Sequence, residues 1–289
     1  MKVADKARAV CRCRWIEEAR WRGNYDVEVL NVTDDWGCLG LVGPLSRQIL
    51  SSLVDDDDVS SEAFPHLHCR RMTVAGVPSL AVRTSYTGEL GWELYAAPDD
   101  LGRIYDAVMA SGLAADFGAY ALNALRVEKG VGAWGSEMSV DTDPYEAGLG
   151  RFVRLDKPTE FVGRAALRRI AADGPRRRLV VLAVDVDDAD AAGHESVWYG
   201  DRVVGRTTSG AYGPNVRRSL ALAYVPTELA SPGTEVHVEL LGERRSAVVQ
   251  SGAPVKTEVE RAKEGQLNDE IAAATLRYDT IYYTRLPPI

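Results

Sequence analysis

From Tyr25 to Leu30 the order Tyr-Asp-Val-Glu-Val-Leu alternates apolar and polar side chains, the period-two signature of a half-buried strand. Trp36 to Val42 is almost wholly apolar and predicts a second, buried strand closed by Gly43-Pro44. Leu45 to Leu53 switches to helical spacing, with apolar residues at 45, 49, 50 and 53, before the acidic run Asp55 to Asp58, read as a solvated loop. Met72 to Ala75 and Val77 to Arg83 flank Gly76 as a hairpin, and Tyr86 to Tyr95 predicts a turn followed by a strand. Three helices follow: Leu101 to Met109 stopped by Gly112, Phe117 to Glu128 stopped by Gly130, and Arg164 to Ala172 with Leu167, Ile170 and Ala171 inward.

The pattern changes at Gly174-Pro-Arg-Arg-Arg178, which is read as a domain boundary. Beyond it the chain predicts five or six short antiparallel strands between Leu179 and Gln250, the pattern of a small barrel or sandwich. From Lys256 it turns polar and helical in pattern through Leu276, then aromatic from Tyr278 to Tyr283. The basic stretch from Met1 to Arg14 is read as the start of a helix running to Trp21; its resemblance to a mitochondrial targeting peptide is weakened by Asp5 and the absence of Ser.

Composition narrows the classes. The 289 residues are 46% hydrophobic and 26% charged, which fits two or three packed units and excludes a wholly disordered chain. A net charge of −8 repels phosphate backbones and anionic lipid, so no nucleic acid or membrane partner is expected. No apolar run approaches the roughly 20 residues that cross a bilayer. Four cysteines in this length argue against a disulfide scaffold. Cys11, Cys13 and Cys69 with His66 and His68 lack the paired spacing of structural zinc sites, so no metal is assigned.

Two segments concentrate chemistry. In Tyr86-Thr-Gly-Glu-Leu-Gly-Trp-Glu93 the glycines admit a ligand or another backbone, and Glu89 and Glu93 would share a strand face with Gly91. A carboxylate there can accept two parallel hydrogen bonds from an amidine-type ring edge while an aromatic stacks on the ring; a surface hairpin with exposed acids is the plainer alternative. In Asn123 to Gly130, followed by Trp134-Gly-Ser-Glu-Met138, Arg126 and Glu128 straddle a helix end, where an Arg126–Glu128 salt bridge is the simplest structural role. No Ser-His-Asp set, phosphate loop or dinucleotide fingerprint is legible.

Gly43-Pro44, Tyr86 to Glu93, Ala124-Leu-Arg-Val-Glu128, Thr207-Thr-Ser-Gly210 and Ala223-Tyr-Val-Pro226 together resemble the aminomethyltransferase (T-protein) family of the glycine cleavage system. Ile16-Glu-Glu18, Ala133-Trp-Gly135, Glu137-Met138, Asp141-Thr142, Glu195 to Tyr199 and Val203-Val-Gly205 bring the resemblance closer to the folate-binding C-terminal half of the dimethylglycine and sarcosine dehydrogenases. It implies an α+β fold: a folate-binding domain over 1–174 with its N-terminal part missing, a small antiparallel β-barrel over 175–255, and an unmatched, partly helical tail over 256–289. It further implies a tetrahydrofolate cofactor, an amine-derived one-carbon donor and 5,10-methylenetetrahydrofolate as product. Tyr86 would line the pterin pocket, Glu93 would bind the pterin's amino edge, Arg126 and Trp134 would support them, and the Thr207–Gly210 loop would close the site. The segment carrying the family's folate-activating Asp has no counterpart, Asp34 and Asp35 are not promoted to that role, and the catalytic residue stays unassigned. FAD is not expected in this chain, so oxidation would need a flavoprotein partner; a non-catalytic folate-binding or scaffold subunit is the alternative. The implied compartment is the mitochondrial matrix in a eukaryote and the cytoplasm in a bacterium.

Overall fold

The computed structural model describes residues 2–84, 86–256 and 280–284, with side chains over 13–84 and 86–256. In chain order the elements are α1 (Lys2–Gly23), β1 (Gly37–Val42), α2 (Ser46–Leu53), β2 (Cys69–Val74), β3 (Val77–Val82), β4 (Gly91–Ala96), α3 (Leu101–Ala110), β5 (Ala115–Asp116), α4 (Ala119–Glu128) and α5 (Arg164–Asp173). The barrel strands follow as β6 (Arg177–Val184), β7 (Ser196–Tyr199), β8 (Arg202–Gly213), β9 (Arg218–Pro226), β10 (Glu235–Leu240) and β11 (Glu243–Val249), and β12 (Thr280–Thr284) comes last. This is the expected α+β architecture with a small antiparallel barrel. The chain divides into two compact units, one of 1–85, 89–118 and 261–289, the other of 86–88 and 119–260.

The first unit is a six-stranded sheet in the order β2-β3-β4-β1-β12-β5. β2 and β3 form the expected hairpin across Ala75-Gly76, with Val74 opposite Val77. Leu39 and Leu41 of β1, and Trp92, Leu94 and Ala96 of β4, are fully buried on one face beneath Ile49 and Leu50 of α2 and Leu101, Ile104 and Val108 of α3. Alternation along β4 therefore sends Gly91, Glu93 and Tyr95 to the other face. Phe64 meets Trp92 edge to face, with ring centroids 6.2 Å apart.

The second unit contains a closed barrel in the order β10-β11-β6-β9-β8-β7, which decides between barrel and sandwich. Closure leaves no free sheet edge, and Val, Leu and Ala side chains such as Leu182, Val197, Ala221 and Val238 fill the interior. α4 is buried over its last turn, from Leu125 to Glu128.

Four local expectations change. Residues 25–30 form no strand, and Tyr25 and Leu30 stay exposed, because alternation alone makes no ladder without a partner edge. In α5 the buried residue is Arg164, which donates to Leu155 O and Glu160, while Leu167 and Ile170 are half-buried and Ala171 is exposed. Thr207 to Gly210 is no loop but the buried middle of β8. Within the aromatic end of the tail, residues 280–284 form a strand, and the helical expectation for 257–276 falls outside the described residues.

Candidate functional site

The turn after β3 and the start of β4 carry the two leading candidates, which belong to different compact units: Tyr86 to the second and Glu93 to the first. β4 starts only at Gly91, so Glu89 lies ahead of the strand and does not share its alternation with Glu93. The close approach that Gly91 permits is to another backbone: a Cβ there would come within 2.9 Å of Leu41 O and 2.6 Å of a Val42 methyl.

Glu93 is half-buried, with its Oε2 accepting the Tyr95 hydroxyl at 2.6 Å. Among the described residues, Oε1 takes no hydrogen bond. Register places Cys38 opposite Tyr95 and Gly40 opposite Glu93. Burial, then the Glu93 charge, pushes the Cys38 thiol up to about 12, so it stays protonated at neutral pH. Burial and the hydrogen bond to Glu93 likewise hold the Tyr95 phenol above its ordinary range. Two of the groups beside Glu93 are thus held protonated.

In the second unit Tyr86 and Arg126 come together, the guanidinium carbon lying 6.0 Å from the ring centroid, at the outer limit of a cation–π contact. Arg126 does not pair with Glu128, its neighbour on the helix end. Its Nη1 donates to Glu137 Oε2 at 2.9 Å and to Val131 O at 3.0 Å, and its Nη2 donates to Ser209 Oγ at 2.6 Å. Glu137 completes the set: Oε1 accepts Thr208 Oγ1 at 2.7 Å and Ser209 Oγ at 2.6 Å, and Oε2 also accepts the Ala133 N–H at 2.7 Å. The ion pair is 6% and 0% exposed at its two side chains, so burial is tolerable only because each oxygen and most N–H groups have partners. This network fixes the Arg126 side chain in place beside Tyr86. Burial raises the Tyr86 phenol, against the opposing pull of the Arg126 charge.

Trp134 stands next to Ala133, whose N–H Glu137 holds, and its side chain is half exposed. Glu128 anchors the β8–β9 turn, accepting the Asn215 N–H at 2.7 Å, the Asn215 amide at 2.6 Å and the Val216 N–H at 3.2 Å. Gly213 leaves room for that carboxylate, since a Cβ there would lie 2.8 Å from Glu128 Oε1. Sequence reasoning placed Glu137, Thr208 and Ser209 only inside resemblance motifs and assigned them no partners, because the contacts join residues 71 and 72 positions apart. Asp34 and Asp35 are exposed in a short 3-10 turn. Among the described residues, no three His, Cys, Asp or Glu side chains converge as metal ligands, and no helix is long and apolar enough to cross a membrane.

Comparison with known proteins gives the family. Residues 1–157 match the GCVT N-terminal domain, and residues 177–256 match the glycine cleavage T-protein C-terminal barrel domain. The chain belongs to the T-protein family. It is 49% identical over 253 residues to mouse mitochondrial dimethylglycine dehydrogenase, which covers 86% of this chain and 29% of that protein. It is 36% identical over 240 residues to the aminomethyltransferase of Symbiobacterium thermophilum, covering 81% of this chain and 64% of the relative. The chain thus spans less than a third of the length of the dehydrogenases it matches. The aminomethyltransferase T of Bartonella henselae shares the fold at a TM-score of 0.59 and 19% identity, covering 78% of this chain and 85% of that one.

Proposed function

We propose that this T-protein family chain is a tetrahydrofolate-binding one-carbon transfer module, taking a carbon from an amine-derived iminium to give 5,10-methylenetetrahydrofolate. The observation that carries the reading is the 49% identity to dimethylglycine dehydrogenase over 253 residues, with both T-protein domains matched in order. The module divides into a folate-binding domain over 1–174, a barrel domain over 175–255 and a tail over 256–289. Its compartment is the mitochondrial matrix in a eukaryote or the cytoplasm in a bacterium.

Glu93 fits the amino edge of a pterin. Its carboxylate is half-buried, where a charge-assisted pair is stronger than in water, and Tyr95 orients one oxygen while the other takes no described hydrogen bond. In the second unit, Tyr86, held in position by Arg126, offers a ring face of the kind that lines a pterin, and Trp134 adds a half-exposed aromatic surface. When bound, tetrahydrofolate supplies the amine nitrogens that accept the carbon. The residue that moves the proton stays unassigned.

Calorimetric titration with tetrahydrofolate tests the reading. Saturable binding is expected, and Glu93→Ala is expected to weaken it about 10- to 100-fold through loss of charge-assisted hydrogen bonds; a parent chain that shows no saturable binding rejects the proposal.

The similarity to a dehydrogenase supports a second reading, a non-catalytic folate-binding or scaffold subunit for a separate flavoprotein. Adding a flavoprotein amine dehydrogenase with its substrate separates the two: methylenetetrahydrofolate formed in proportion to this chain supports catalysis, and folate binding without product supports the subunit.

A further inference from the structure

α4 passes from exposed at Ala119, Tyr120 and Ala121 to buried at Leu125–Glu128, and Asn123 stands half-buried between the two, where a ligand can reach it. Asn123 and Arg126 are three positions apart, the spacing that puts neighbouring side chains on one side of a helix. They reach successive residues of β8: Asn123 Nδ2 donates to Gly210 O at 3.0 Å, and Arg126 Nη2 donates to Ser209 Oγ at 2.6 Å. Gly210 O can only accept, so the NH2 end of the amide faces the strand and Oδ1 is directed away from that contact. Among the described residues, Oδ1 takes no hydrogen bond.

The two polar groups on this side of α4 therefore differ in what they offer. The charge of Arg126 is taken up by Glu137 in a pair 6% and 0% exposed, and its guanidinium carbon lies 6.0 Å from the Tyr86 ring centroid. Asn123 Oδ1 is an acceptor still open on the same side of the helix. A neutral amide oxygen suits an amine nucleophile: it accepts the N–H, which fixes the direction of the nitrogen lone pair, and it carries no charge that would hold an extra proton on that nitrogen.

Building on the folate-binding reading, we propose that Asn123 is a further ligand-binding residue of the folate site, its Oδ1 accepting the N–H of one of the two tetrahydrofolate amines, N5 or N10, that take the one-carbon unit.

The test is a cycle between side chain and ligand, read by calorimetry with tetrahydrofolate and with its 5-formyl and 10-formyl derivatives, each of which lacks one of the two N–H donors. Asn123→Leu keeps the side chain's shape and removes both polar atoms. It is expected to weaken tetrahydrofolate about three- to tenfold, the worth of one hydrogen bond to a neutral acceptor. With the derivative that lacks the bonded N–H, parent and variant are expected to agree within about twofold. Thermal unfolding checks that the variant is folded, and Asn123→Ala, which adds no atoms, carries the same cycle if it is not. A purely structural role, acting through the contact with Gly210, would weaken all three folates alike, and that outcome overturns the proposal. Tetrahydrofolate binding equal to the parent's in both variants overturns it as well, while the folate reading stands. A parent chain with no saturable tetrahydrofolate binding rejects the folate reading and the role of Asn123 with it.

Discussion

The two compact units bury different kinds of side chain. In the first, the interior is Leu, Ile, Val, Phe and Trp, and among the described residues the one buried charged side chain is Arg83, whose Nη1 donates to Phe64 O at 2.6 Å. In the second, Arg126, Glu128, Lys129, Glu137 and Arg164 are all buried, three of them at the end of α4. Apolar packing is tolerant of detail, because any side chain of similar volume regains most of the buried area. A buried ion pair is intolerant, because removing one partner strands the other in low dielectric. The residues beside Tyr86 are thus held by the less forgiving of the two arrangements, which suits a group whose position matters more than the stability it adds.

The largest expected effect follows from breaking the second arrangement. Glu137→Ala should cost about 3–5 kcal/mol in urea unfolding, since it leaves the Arg126 guanidinium buried without its carboxylate. The double change Arg126→Met with Glu137→Leu should cost less than that single one. A Glu137→Ala loss of only a few tenths of a kcal/mol would show that water reaches the pair. The first unit should respond mildly to a comparable trim: Ile104→Val, fully buried under the sheet, should cost about 0.5–1.5 kcal/mol with no dependence on salt.

The smallest effect is a pH limb. Burial alone would raise Glu195, but the Thr207 hydroxyl and the N–H groups of Ala192 and Gly193 hold its carboxyl below its ordinary value. A folded-state pKa below the unfolded one gives stability that is present above the unfolded value of 4.5 and lost as pH falls through the folded one. Glu195→Gln should therefore flatten the acid side of a stability–pH curve below pH 4.5 and leave the alkaline side unchanged. A mutant curve that stays parallel to the parent's below that pH would remove Glu195 from the account.

Most of the regular structure was legible from local pattern. The buried run Trp36–Val42, the helix face at Leu45, Ile49, Leu50 and Leu53, and the alternating segments after Arg178 all form the elements their periods predict. The exceptions share a cause. Residues 25–30 carry a strand period but have no edge to pair with, and Thr207–Gly210, a loop by what the resemblance implied, lies inside a barrel strand. In the site, resemblance singled out Tyr86, Glu93, Arg126 and Trp134, and local reading paired Arg126 with its near neighbour Glu128. The fold instead pairs it with Glu137 and hands Glu128 to the turn at Asn215.

The sequence by itself determined most of the helices and strands, most of their apolar faces and which family the motifs resemble, because each of these depends on residues a few positions apart. Only the tertiary structure decided which charges meet, that the barrel closes, and that a strand from the tail sits between β1 and β5. Those outcomes rest on contacts between distant residues, where the desolvation of a buried charge or a bare strand edge selects one partner among many that local pattern treats alike.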